Sequence, residues 1–120
     1  MSLQWAIKVA SALPIVRGQQ RLCSVVSDKR GKVLSIGVNS YNKSHPLMAK
    51  YAEQTGTPEK CYLHSEVAAL VALNYNDRQK AHKLSVARVM KNGETGLAAP
   101  CPACQQAIKE FNIKSIEYTV

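Results

Sequence analysis

The spacing of apolar positions changes along the chain, and each spacing marks an element. From Ser2 to Leu13, Leu3, Ala6, Ile7, Ala10 and Leu13 recur at the three- and four-residue intervals of one helical face. Ser2 suits the N-cap, and Pro14 stops the helix because proline disfavours helix in the residue before it. Trp5 belongs to this helix and reads as core. Arg21 to Ser27 and Lys32 to Asn39 are β-rich runs on either side of the turn Asp28-Lys29-Arg30-Gly31, which predicts an antiparallel hairpin. In the second run Leu34, Ile36 and Val38 share a face that reads as core, while Val33, Ser35, Gly37 and Asn39 share the other. Cys23, inside the first run, also reads as core.

Ser40 to Lys60 is polar and irregular, with Pro46, Gly56 and Pro58. So long a loop in a small domain is unusual and often functional. Leu47 to Gln54 has room for a turn or two of helix within it. His64 to Tyr75 predicts a largely buried helix, because Val67, Leu70, Val71 and Leu73 leave little polar surface. Asn74 to Lys83 reads as a polar connection, Leu84 to Met90 as a strand, and Asn92 to Gly96 as a loop. A helix runs from Pro100 through Phe111, and Ile113 to Val120 is the last strand. A helix between two strands requires a crossover, so the later strands run parallel. The expectation is an α/β domain spanning residues 1–120, in three α/β/α layers around a mixed sheet of about four strands.

Composition narrows the function classes. With 46% hydrophobic and 20% charged residues, the chain has enough apolar material to bury a core, which excludes a disordered protein. No apolar run reaches the roughly 18 residues of a membrane span. Gln4 and Lys8 interrupt any leader pattern, so a cytoplasmic protein is expected, with its four cysteines reduced or metal-bound. The net charge of +8 favours anionic partners, nucleotides or nucleic acid. The basic residues are scattered rather than blocked, which argues against a dedicated nucleic-acid surface.

Two short segments, each opening a helix, carry the candidate chemistry: His64-Ser65-Glu66 and Pro100-Cys101-Pro102-Ala103-Cys104. Cys101 and Cys104 are three apart, so both thiols face one side of a helical turn. The helix start favours thiolate, and Pro102 loses nothing there. Alone, this C-x-x-C reads as a metal site, a redox pair or incidental core thiols. His64 adds a third zinc-type ligand. Three protein ligands leave one position for water, which is the pattern of catalytic zinc. Glu66 lies about 200° around the helix from His64 and so cannot easily share its metal. It can instead lie beside the open position and move a proton. Its ordinary alternative is a first-turn glutamate stabilising the helix dipole.

The pairing of H-x-E with P-C-x-x-C, together with Gly37-Val38-Asn39, resembles the zinc-dependent cytidine and deoxycytidylate deaminase superfamily. Ser44-His45-Pro46 places it nearest the small phage- or bacterial-type deoxycytidylate deaminases. Ser65 stands where many relatives carry alanine. The resemblance implies one zinc ion per chain on His64, Cys101 and Cys104, with Glu66 as proton shuttle. It implies hydrolysis of a cytosine nucleoside or nucleotide to the uracil form with release of ammonia. Asn39, His45, Ser65, Ala99 and Pro100 are the implied substrate contacts. Asn39 also reads as a turn former and His45 as a solvated loop residue. Tyr41, Tyr51 and Tyr62 suit either stacking on a base or packing on the core, and Lys43 and Lys50 either a substrate phosphate or solvation of the loop. Cys61 reads as structural, since a fourth protein ligand would close the site, and His82 as surface. The resemblance also implies a five-stranded sheet, of which four strands are read here and the fifth is absent. The exposed last strand would then be covered in a homo-oligomer. Two alternatives remain: deamination of a base in tRNA or single-stranded DNA, and a non-catalytic zinc-stabilised module closed by Cys61.

Overall fold

The computed structural model describes residues 2–56 and 62–120. Cys61 lies outside the described residues. The elements in chain order are α1 (Ser2–Ala12), β1 (Arg21–Asp28), β2 (Val33–Val38), α2 (Pro46–Gln54), α3 (Ser65–Val71), α4 (Tyr75–Lys80), β3 (Ala81–Val89), β4 (Thr95–Gly96), α5 (Pro102–Glu110) and β5 (Ser115–Tyr118). The sheet runs β2-β1-β3, and both β4 and β5 pair with β3. β1 is antiparallel to β2 and β3, whereas β5 is parallel to β3 through the α5 crossover. The expected mixed sheet is therefore present. Its four expected strands are joined by a two-residue fifth, β4, antiparallel to the end of β3.

Alternation along β1 and β3 builds two cores. Cys23, Val25, Ala87 and Val89 face α1, whose Ala6 and Ala10 allow close packing. Val26, Leu84 and Val86 face the opposite layer with Met48, Leu70, Cys104 and Ile108 from α2, α3 and α5. Burial pushes the Cys23 thiol up to about 11.

Three readings of the sequence need correcting. Trp5 is 47% exposed, with Lys8 over its ring, because the small Ala6 and Ala10 make the buried stripe of α1. The apolar face of β2 is the open one: Ile36 is 42% and Val38 37% exposed. The small-residue face carries the packing instead. A Cβ on Gly37 would lie 2.7 Å from Ser65 O and 2.8 Å from Ala68 C, so α3 rests directly on the β2 backbone. Ser35 Oγ, donating to Ala69 O at 2.6 Å, ties the same two elements together. Lastly, the polar connection after Asn74 forms α4, capped by Asn74 Oδ1 accepting from Asp77 N at 2.8 Å.

Candidate active site

The sheet places two helix starts side by side. His64 is the N-cap of α3 and Cys101 the N-cap of α5, and neither uses its side chain to cap. The approach to His64 is fixed by Ser40 N donating to Leu63 O (2.8 Å) and Leu63 N donating to Lys43 O (2.9 Å). The approach to Cys101 is fixed by Thr119. Its amide donates to Val86 O, its hydroxyl to Gly96 O at 2.6 Å, and its carbonyl accepts from Ala98 N at 2.9 Å. Gln105 Nε2 then donates to Pro100 O at 2.9 Å.

These constraints bring three donor atoms together. His64 Nδ1 lies 3.5 Å from Cys101 Sγ and 3.3 Å from Cys104 Sγ, and all three ligand atoms fall within 4.8 Å of one another. Tetrahedral zinc with bonds of about 2.0–2.3 Å holds its ligand atoms roughly 3.3–3.8 Å apart. The His64 distances match those edges, and two sulfurs with one imidazole nitrogen are a zinc donor set. The group is thus positioned to bind one zinc ion through Nδ1 of His64. Among the described residues the group has three members.

The protonation of the thiols fits this role. A hydrogen bond from the Cys104 thiol, helped by His64, outweighs burial and holds the Cys101 thiol down to about 3. Cys104 is shifted upward, because its proton is the one given to Cys101 and because burial adds to the effect. A divalent cation bound by the two thiols would take the place of that proton.

Glu66 is 6% exposed. Burial raises its pKa, partly opposed by its own backbone N–H, by His64 and by Ser65. Ser65 Oγ donates to Glu66 Oε1 at 3.0 Å. The Ser65 hydroxyl has one hydrogen, so the 2.8 Å contact between Ser24 Oγ and Ser65 Oγ runs from Ser24 as donor. A directed chain from β1 through α3 thus ends on one carboxylate oxygen. Ser24 was not foreseen as a site residue. Its only sequence signal is a small polar residue inside an apolar strand.

A cleft of about 320 Å3 opens onto His64, Ser65, Glu66 and Cys101. Its walls also include Leu22, Asn39, Tyr41, Tyr62, Ala98 and Ala99. Asn39, Ser65 and Ala99 thus line this cleft. Asn39 has a structural task as well: its Oδ1 accepts from Leu22 N at 3.1 Å and its Nδ2 donates to Gln20 O at 3.0 Å. That leaves one Nδ2 hydrogen for another partner. His45, Pro100, Lys43 and Lys50 are not among the lining residues. His45 caps α2, its Nδ1 accepting from Leu47 N at 3.1 Å. Pro100 is buried behind the wall, and Lys50 lies over the ring of Tyr51. Of the tyrosines, Tyr41 and Tyr62 flank the cleft and Tyr51 is core.

A half-open sheet sandwiched by helices, with a His-Cys-Cys metal group and a buried glutamate at two helix starts, defines a zinc deaminase. The sequence matches the cytidine and deoxycytidylate deaminase zinc-binding region over residues 2–120, and the chain belongs to that family. Among solved structures it is similar to a mutant cytidine deaminase from Mycobacterium tuberculosis, at 18% identity and a TM-score of 0.53. That likeness covers 96% of this chain and 79% of the other, and it is one of fold. No curated protein matches the sequence at a significant level. No helix among the described residues is long and apolar enough to cross a membrane.

Proposed function

We propose that the protein hydrolyses a free cytosine nucleoside or nucleotide to its uracil form, releasing ammonia. The observation that carries this reading is the convergence of the His64-Cys101-Cys104 group and the buried Glu66 on one cleft. Bound there, zinc supplies Lewis acidity that makes water nucleophilic near neutral pH. The rest falls to the chain itself. Glu66 takes a proton from the attacking water and gives it to ring N3 as the C4–O bond forms, then takes the proton of the new C4 hydroxyl and gives it to the amine as the C4–N bond breaks, leaving the C4 carbonyl and ammonia. Burial raises the pKa of the Glu66 carboxyl, which makes it a stronger base toward water. Ser65 keeps Oε1 occupied and the carboxylate in one rotamer. Leu22, Tyr41 and Tyr62 offer apolar and aromatic surface to a base, and Ala98 and Ala99 bring backbone groups to its edge. The cleft volume suits a nucleoside-sized ligand.

The cytosol supports this chemistry, since reducing conditions keep Cys101 and Cys104 available as ligands. Assembly into a homo-oligomer is supported by the edge position of β5, whose Ile116 and Tyr118 are both half-exposed. Sedimentation should show an assembled species, and a clean monomer would contradict it.

The test of substrate is product analysis by mass spectrometry with zinc-loaded protein. The panel holds cytidine, deoxycytidine, their monophosphates, a single-stranded oligonucleotide and bulk tRNA. Uracil product from a free compound is expected. Conversion only in the polymers would move the reading to nucleic-acid deamination. Silence with zinc bound would favour a non-catalytic module.

A further inference from the structure

Two strands of opposite direction share one edge of β3. β5 pairs with it in parallel over residues 83–86, and β4 pairs with it antiparallel at Arg88 and Val89. β1 occupies the other edge. Where β5 stops and β4 begins, the backbone groups of β3 need another partner, because a buried amide left unpaired is costly. Thr119 fills this seam. It is 6% exposed and directly follows Tyr118, the end of β5. Its amide extends the parallel ladder by donating to Val86 O at 3.0 Å. The next rung of such a ladder would run from Arg88 N to the Thr119 carbonyl. Arg88 N donates instead to Thr119 Oγ1 at 3.0 Å, and that hydroxyl donates to Gly96 O at 2.6 Å. Arg88 and Gly96 are register partners, so the hydroxyl bridges the pair.

The substitution of hydroxyl for carbonyl has its effect in the cleft. Thr119 O is released from the ladder and accepts from Ala98 N at 2.9 Å. β4 ends at Gly96, and the next three residues, Leu97, Ala98 and Ala99, leave β3 and form cleft wall. One side chain and its own carbonyl thus part the wall from the sheet and hold it there. Thr119 is not among the lining residues. The rest of the site has separate supports: Gln105 Nε2 donates to Pro100 O next to Cys101, and Ser24 and Ser65 hold Glu66.

We infer that Thr119 is a positioning residue that sets substrate affinity, by holding residues 97–99 where a bound base meets them. This rests on the deaminase reading and adds to it a residue outside the cleft. A wall acts on bound substrate and transition state alike, so displacing it raises KM and leaves kcat.

The informative variants are Thr119→Val, which keeps the β-branch without the hydroxyl, and Thr119→Ser, which keeps the hydroxyl. Deamination of cytidine and of deoxycytidine 5′-monophosphate, zinc content and amide exchange by NMR would be measured on each zinc-loaded chain. Thr119→Val should speed exchange at Arg88 and Ala98 and raise KM about 10-fold, with kcat and zinc held; a misplaced binding group can cost more than this. Thr119→Ser should restore both readings. An unchanged KM in Thr119→Val, a joint loss of KM, kcat and zinc, or no restoration by serine would overturn the inference. In the unaltered chain, saturating uridine or deoxyuridine 5′-monophosphate should slow exchange at Arg88 and Ala98, since ligand and hydrogen bonds hold the same wall. No slowing would overturn the inference even if Thr119→Val does not fold. If the unaltered chain converts neither compound, the deaminase reading fails separately and exchange at Ala98 decides. Faster exchange in Thr119→Val keeps Thr119 as the residue that holds the wall, and no change removes it.

Discussion

Ser24 and Ser65 show how much a single hydroxyl can control. Both are fully buried, and each has one hydrogen to give. Ser24→Ala removes the donor behind Ser65 and frees the Ser65 hydrogen to turn away from Glu66. Stability should fall by about 1–2 kcal/mol, and kcat more than KM, with zinc content unchanged; chemical unfolding, steady-state kinetics and metal analysis check these together. Cys23 gives a separate prediction at alkaline pH. Its folded pKa is about 11 against an ordinary 9.0, so between those values the folded protein binds more protons than the unfolded one. Stability from this group is therefore lost as pH rises from about 9 through 11. The loss amounts to about 2–3 kcal/mol. Unfolding at pH 7 and pH 11 should show this excess loss in the unaltered chain and not in Cys23→Ala. An identical pH slope in both would contradict it. The metal ligands and Glu66 were legible because their types and spacing encode chemistry. Ser24 was not, because its partner lies 41 positions away and only the fold brings them together.

At the scale of elements, the contact between β2 and α3 sets the site. Gly37 lets α3 sit on the strand, and α3 begins with Ser65 and Glu66 immediately after His64. Gly37→Ala forces a methyl group into the helix backbone, where neither side can yield cheaply. It should cost about 3 kcal/mol or more and also lower activity, because any relief moves the helix that carries Glu66. Thermal unfolding with a parallel activity assay would separate the two effects; wild-type values of both would show that the approach is looser than described. Alternation in β2 correctly divided the strand into two faces but assigned the core to the wrong one. Apolarity alone does not reveal a helix that approaches too closely for any side chain. The same limit explains Trp5: a helix face built from alanines buries less apolar volume per residue, yet it is the face that fits. Turns and crossovers read better from sequence. The hairpin, the buried α3 and the parallel β5 follow from turn residues, apolar density and connection rules.

Across the whole molecule, zinc joins two segments 37 residues apart, so its removal is a structural event as well as a chemical one. Cys104→Ala should abolish metal binding and lower the unfolding temperature, because metal affinity here contributes directly to folding. Chelation of the unaltered chain should lower it likewise. Full zinc stoichiometry in the variant would remove Cys104 from the ligand set.

The most direct test compares the unaltered protein with Glu66→Gln, measuring bound zinc and uracil product from the same zinc-loaded preparations. Both should hold one zinc ion per chain. The variant should lose about 100- to 10,000-fold in turnover, the range of general acid–base contributions. Loss of zinc in the variant, or turnover that survives the substitution, would contradict the assignment of Glu66 as the group that moves the proton.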